Sequence, residues 1–126
     1  MKKLILTSFL FFFVGFALMA QPKIIAHRGF WDKENSAENS IISLYKAYEA
    51  GCYGVEFDVQ ITSDGVLILN HDDILNGMVI QQTPYDKLRD IRLKNNEVIP
   101  TLGQYLVHAK NCPGIKLIMV KNRFLM

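Results

Sequence analysis

Four short apolar runs punctuate the chain: KIIAH (Lys23–His27), GVEFDVQIT (Gly54–Thr62), VLILNHD (Val66–Asp72) and IKLIMV (Ile115–Val120). Each is too short for a helix and reads as a buried strand, the first ending in His27 and the third meeting Asn70 and His71. Between the first two lies RGFWDKENSAEN, a loop rich in Gly, Asp, Asn and Ser. Helical spacing follows. Ile41, Leu44, Tyr45 and Tyr48 fall at i, i+3, i+4 and i+7, with Asn39 as the expected cap and Gly51 as the stop at C′. Ser63-Asp64-Gly65 reads as a turn. Pro84 introduces a predicted helix in PYDKLRDIRL, within an otherwise mixed region from Ile74 to Glu97. Pro100-Thr101 introduces another through LGQYLVHAK, in which His108 is expected to face solvent. No internal repeat or low-complexity linker interrupts this order. Strand, helix and further buried strands predict an α/β fold with a largely parallel sheet or barrel.

The chemistry-bearing residues then fall at one rim. His27 ends the first strand, Glu56 and Asp58 lie near the end of the second, and His71 and Asp72 end the third. In α/β sheets and barrels the C-terminal rim is where ligands bind.

Composition narrows the setting. MKKLILTSFLFFFVGFALMA places two lysines before an apolar run and small residues before Gln21, the layout of a secretory leader over residues 1–20. Residues 21–126 form the remaining domain, exported to the periplasm or secreted. Membrane contact is expected only through the leader, if it stays uncleaved as an anchor. Loss of Lys2 and Lys3 leaves equal numbers of basic and acidic residues among the 14 and 12 of the whole chain. A neutral domain lacks the basic patch that nucleic-acid binding requires, so no nucleic-acid partner is expected. Cys52 and Cys112 show no metal-type spacing; they are either a disulfide or two buried thiols.

Glu56 and Asp58 share one face of a strand because alternate residues project the same way, while Val55, Phe57 and Val59 take the other. Two crowded carboxylates repel unless a cation sits between them, and a hard divalent ion with oxygen ligands resolves the repulsion. A wet strand face is the plain alternative. A hairpin at Ser63-Asp64-Gly65, pairing positions that sum to about 127, brings the acids near Leu69–Asp72. Parallel pairing of the two strands has the same consequence. Two histidines at strand ends can divide proton withdrawal and proton donation, and Arg28 offers a fork of donors suited to phosphate. Together these groups describe cleavage of a phosphoryl ester.

IIAHRG, AEN, GVEFDVQITSDGVLILNHDD and IPTL resemble, in order and spacing, the N-terminal half of the glycerophosphodiester phosphodiesterase family, from about Ile24 to Leu102. The resemblance implies a (β/α)₈ TIM-type barrel with only its first three to four strands present. It implies hydrolysis of a small-molecule glycerophosphodiester to an alcohol and glycerol 3-phosphate, with Ca²⁺ or Mg²⁺ as cofactor. It also implies His27 and His71 as acid and base, Glu56 and Asp58 as metal ligands, and Arg28, Glu38 and Asn39 as substrate-binding residues. Asp72 would orient its loop, and Phe30 and Trp31 would wall the pocket or lie on the surface.

The resemblance also shows departures. Met119 and Val120 stand where the family pattern I-E-x-K carries a further acid, and neither is a ligand for a hard cation. A barrel takes about 250 residues, so a chain shortened by a frameshift or early stop is expected, weak or inactive alone, with open strand edges. Two further readings remain: an exported, non-catalytic binding or interaction fragment, and a related barrel phosphodiesterase of the phospholipase or sphingomyelinase D type.

Overall fold

The computed structural model describes residues 20–32 and 34–121. The stretch expected to be a leader, apart from Ala20, and the final NRFLM segment lie outside the described residues. The elements in order are β1 (Ile25–Ala26), α1 (Ile41–Glu49), β2 (Gly54–Ile61), β3 (Leu67–Leu69), β4 (Ile74–Leu75), β5 (Met78–Val79), α2 (Leu102–Ala109) and β6 (Lys116–Lys121).

β2 is the hub. It pairs in parallel with β1 from Ile25↔Gly54 to Ala26↔Val55, and with β6 from Gly54↔Lys116 to Val59↔Lys121. Its far end pairs antiparallel with β3, Val59 opposite Leu69, a register one position from that expected of the turn. The third apolar run is therefore the return arm of a hairpin and not a parallel barrel strand. It stops at Leu69, before Asn70 and His71. The T-x-D-G segment builds this hairpin. Thr62 Oγ1 donates to Asp64 Oδ1 (2.6 Å) and accepts from the Val66 N–H (2.9 Å), while Gly65 supplies the left-handed φ of 84°. The Thr62 hydroxyl and the Tyr85 N–H hold the Asp64 carboxyl below its ordinary pKa.

Helix α1 is capped by Ser40, whose Oγ accepts from the Ser43 N–H at 3.0 Å, and not by Asn39. An N-cap needs extended dihedrals; Ser40 has them, whereas Asn39 is left-handed at φ 56° and spends its side chain elsewhere. The expected stop at Gly51 is present as a Schellman motif: the Gly51 N–H reaches the Tyr48 carbonyl and the Cys52 N–H that of Ala47, both at 3.0 Å. Thr101 and Gln104 form a reciprocal capping box at the start of α2.

The predicted helix in PYDKLRDIRL is one 3₁₀ turn, Tyr85–Lys87. Both Leu88 and Arg89 N–H groups bond the Tyr85 carbonyl at 2.9 Å, and a bridge between Arg92 and Val98 then draws the chain straight. Leu88 is its one fully buried apolar residue, too little to hold an amphipathic stripe. Just before it, Asn76 (φ 48°) and Gly77 (φ 78°) close the small β4–β5 hairpin, a two-residue turn that the Asn-Gly pair signals.

Alternation along β2 sorts the layers. Val55, Phe57 and Val59 pack against Leu44 and Ala47 of α1 and Tyr105 of α2, with the Phe57 and Tyr105 rings 4.7 Å apart. A second cluster gathers Ile68, Ile80, Leu88 and Ile99 beneath the irregular segment. His108 is half buried, in place of the solvent-facing position expected. Its Nδ1 lies 2.9 Å from the Tyr45 hydroxyl, which also accepts from Asn111 Nδ2 at 3.0 Å, joining the helices. Tyr48 is correspondingly exposed. Both cysteines are free thiols, Cys112 buried.

Two predictions follow from this packing. The Tyr105 hydroxyl is buried with no hydrogen-bond partner among the described residues. Burial first, then the Cys112 and Glu56 charges, push it far above its ordinary 10.0. The neutral form is the one the fold holds, so this contribution is complete below pH 10 and declines above it, as the unfolded phenol ionises, by about 1.4 kcal/mol per pH unit. Tyr105→Phe should be neutral or stabilising by up to about 1 kcal/mol. It should also flatten the loss between about pH 10 and 11 in thermal melts; an unchanged alkaline slope would contradict the assignment. Gly29 has φ 83°, and a Cβ there would lie 2.1 Å from Ser43 Oγ. Gly29→Ala should destabilise by at least about 2 kcal/mol in denaturant titrations; a loss under about 0.5 kcal/mol would refute that constraint.

Candidate active site

Glu56, Asp58 and Gln60 alternate along one face of β2. The side chains of Glu56 and Asp58 are only 14% and 5% exposed, so this is not a wet strand face. The loop after β1 folds over them. Arg28 is left-handed (φ 57°), a strained conformation worth about 1 kcal/mol or more, and that turn aims its backbone N–H at Glu56 Oε2, 2.9 Å away. Its carbonyl accepts the Asn39 N–H at 2.9 Å. Its guanidinium donates from Nη1 to Glu38 Oε2 at 3.0 Å, and Nε lies 3.6 Å from Asp58 Oδ2.

Asn39 completes the arrangement. Its Nδ2 donates to Asp58 Oδ2 (3.1 Å) and its Oδ1 accepts the Asp58 backbone N–H (3.0 Å), a reciprocal buried pair. His27, at the end of β1, places Nε2 3.8 Å from Glu56 Oε2. Five predicted residues, Arg28, Glu38, Asn39, Glu56 and Asp58, thus share one hydrogen-bonded and ionic network, with His27 at its margin.

His71 stands on the loop beyond β3. Its Nδ1 is 2.7 Å from Asp72 Oδ1. An ionised carboxylate only accepts, so Nδ1 carries the proton and Nε2 is the other reactive position. Gln60 tethers this loop to β2, its Nε2 donating to the His71 carbonyl (3.2 Å) and Asp73 Oδ1 (3.0 Å). Gln60 belongs to the site but escaped the sequence reading, although the same alternation that marks Glu56 and Asp58 extends to it.

A groove of about 290 Å³ joins the parts: Trp31, Glu38, Asn39, His71, Asp72 and Lys94 are among its lining residues. Trp31 also borders a second hollow of about 400 Å³, where His27 lies. The histidines therefore flank the acid network from neighbouring hollows. Trp31 walls the groove as expected; Phe30 is half buried against the core beside β1.

Among the described residues no group of three or more His, Cys, Asp or Glu is placed to hold a metal ion. The register of β6 explains part of this: Ile118 lies beside Glu56 and Val120 beside Asp58, so the acid face continues as aliphatic side chains. Two buried carboxylates nevertheless match Mg²⁺, which is commonly held by one or two carboxylates with waters and substrate phosphate; Ca²⁺ takes about six to eight oxygens. The donor set present fits a hard divalent cation whose remaining positions are taken by water or substrate oxygens.

With this geometry in view, the likeness to known proteins is specific. The model of the glycerophosphoryl diester phosphodiesterase family matches residues 27–124. A glycerophosphodiester phosphodiesterase of Bacillus altitudinis is 50% identical over 73 residues, which cover 53% of this chain and 29% of that protein. Human glycerophosphodiester phosphodiesterase 1 is 31% identical over 102 residues, 69% of this chain and 30% of the relative. Among solved structures, a glycerophosphodiester phosphodiesterase of Parabacteroides distasonis superposes with a TM-score of 0.81 at 49% identity, covering 82% of this chain and 44% of that one. An Oleispira antarctica phosphodiesterase, solved with the product sn-glycerol-3-phosphate, gives 0.66 at 30% identity, covering 80% and 44%. The chain spans less than half the length of each, and its three parallel strands, β1, β2 and β6, are part of the TIM-type barrel of these neighbours. On its sequence, fold and site, the chain belongs to the glycerophosphoryl diester phosphodiesterase family.

Proposed function

We propose that this site serves hydrolysis of glycerophosphodiesters to glycerol 3-phosphate and an alcohol, with His27 and His71 moving the protons and Glu56 and Asp58 as the ligands of a divalent cation. The observation that carries the reading is the convergence of Arg28, Glu38, Asn39, Glu56 and Asp58 on one rim with a histidine on each flank. The product complex of the Oleispira antarctica neighbour supports the substrate class. Export of the domain behind its apolar leader is part of the same proposal.

In this reading Asp72 fixes the His71 ring so that Nε2 withdraws a proton from the attacking water. The water oxygen bonds phosphorus, the bond from phosphorus to the alcohol oxygen breaks, and the protonated His27 ring returns a proton to the departing alkoxide. Arg28, braced by Glu38, turns its remaining donors toward the phosphate. A divalent cation, when bound, would offset the two carboxylates and polarise the phosphoryl oxygens. Val120, in register with Asp58, favours weak cation binding and weak turnover by this chain alone. It also favours a non-catalytic fragment, in a new form, one that binds phosphodiesters without cleaving them.

With sn-glycero-3-phosphocholine and Mg²⁺, the purified chain should release glycerol 3-phosphate slowly, and His71→Ala should lower that release by about 100-fold or more. Equal release from both would contradict the role of His71. If release is absent but glycerol 3-phosphate binds saturably in calorimetry, the binding reading replaces the catalytic one; absence of both overturns the proposal. Glu56→Gln and Asp58→Asn should each remove the Mg²⁺ dependence of ligand binding, and affinity that still rises with Mg²⁺ in both variants would show that the cation sits elsewhere.

A further inference from the structure

Two carboxylates, Glu38 and Asp72, line the groove, and a third, Asp58, stands behind Asn39. The nearby cationic groups are committed to these acids: Arg28 to Glu38 and Asp58, His71 to Asp72. A phosphodiester is itself an anion, so entry requires a positive group not already matched to a carboxylate. Lys94 lines the same groove, and among the described residues no hydrogen bond or ion pair engages it.

Its place is fixed by the backbone around it. The Leu93 N–H bonds the Glu97 carbonyl (2.8 Å) and the Asn96 N–H bonds that of Leu93 (2.9 Å), closing a tight turn. Glu97 Oε1 accepts the Ile42 N–H at 3.3 Å, in the first turn of α1, where a carboxylate is favoured by the helix dipole. Asn95 Nδ2 donates to Glu97 Oε2 and, at 3.2 Å, to the carbonyl of Asn35. The turn bearing Lys94 is therefore tied to the same loop and helix that present Glu38 and Asn39.

We infer that Lys94 is a substrate-contacting residue, the cation that meets the phosphate in this groove, and that Glu97 is a positioning residue that holds its turn in place. The inference rests on the phosphodiester reading above. It assigns to an otherwise irregular segment the job of drawing an anion past the carboxylates, as a point charge that leaves the phosphate free to orient on Arg28.

The test is calorimetric titration of the whole chain with glycerol 3-phosphate in Mg²⁺, repeated over a range of NaCl. Lys94→Gln should weaken binding by about fivefold and reduce its salt dependence, while Lys94→Arg stays within about twofold of the parent. Glu97→Ala should weaken binding and reduce the salt dependence in the same direction, and Glu97→Gln, which keeps an oxygen for the Ile42 N–H, should restore both. A general loss of folding would not move the salt dependence with rescue by Gln, and thermal melts of each variant identify misfolding. Saturable binding by the parent with Lys94→Gln unchanged in affinity and salt dependence overturns the assignment of Lys94 alone. Unchanged Glu97→Ala overturns the role of Glu97. No saturable binding by the parent overturns the phosphodiester reading and this inference with it.

Discussion

The reciprocal pair between Asn39 and Asp58 is the constraint on which the site depends. One amide side chain satisfies both the carboxylate and the backbone N–H of a residue in the central strand, with both partners buried. Burying a carboxylate is costly without such partners. The loop after β1 therefore closes over β2, and closure forces the left-handed turns at Arg28 and Gly29. Gly29 accepts that conformation freely; Arg28 does so because its N–H, its carbonyl and its guanidinium all gain partners from it.

That closure gives the two faces of β2 different work. Outward residues anchor the strand to both helices, so the acid-bearing backbone sits on a packed and rigid support. Inward residues collect the loops: Glu56 takes the Arg28 N–H, Asp58 takes Asn39, and Gln60 holds the His71 loop. Three alternate positions in one strand thus organise groups drawn from residues 27 to 73. The cost is a concentration of negative charge that one arginine offsets only in part, which is why a divalent ion and Lys94 enter the functional reading.

Much of this was legible in the chain. The strand alternation, the Gly51 stop and the helix introduced at Pro100-Thr101 each depend on neighbours a few residues apart, and each formed as expected. The expected cap at Asn39 is taken by Ser40 for the opposite reason: beside another good cap, Asn39 carries no local sign of a partner 19 residues away. The PYDKLRDIRL segment carried a plausible helix start but lacked enough buried apolar positions to sustain one. The Asn76-Gly77 pair is a local signal for the β4–β5 hairpin. Glu97 could not have been placed at all, because its contact with Ile42 spans 55 residues and belongs to tertiary closure. His108 likewise found Tyr45 only through helix packing.

The central claim is that two buried side-chain carboxylates on β2 share one cation beneath the Arg28 turn. Titration of the ¹⁵N-labelled chain with Mn²⁺, a paramagnetic substitute for Mg²⁺, measures this directly. The account predicts that amide signals of Arg28, Glu56 and Asp58 broaden first and saturably, and that Asp58→Asn abolishes the selectivity. Broadening centred on another part of the chain, or unchanged in that variant, would contradict it.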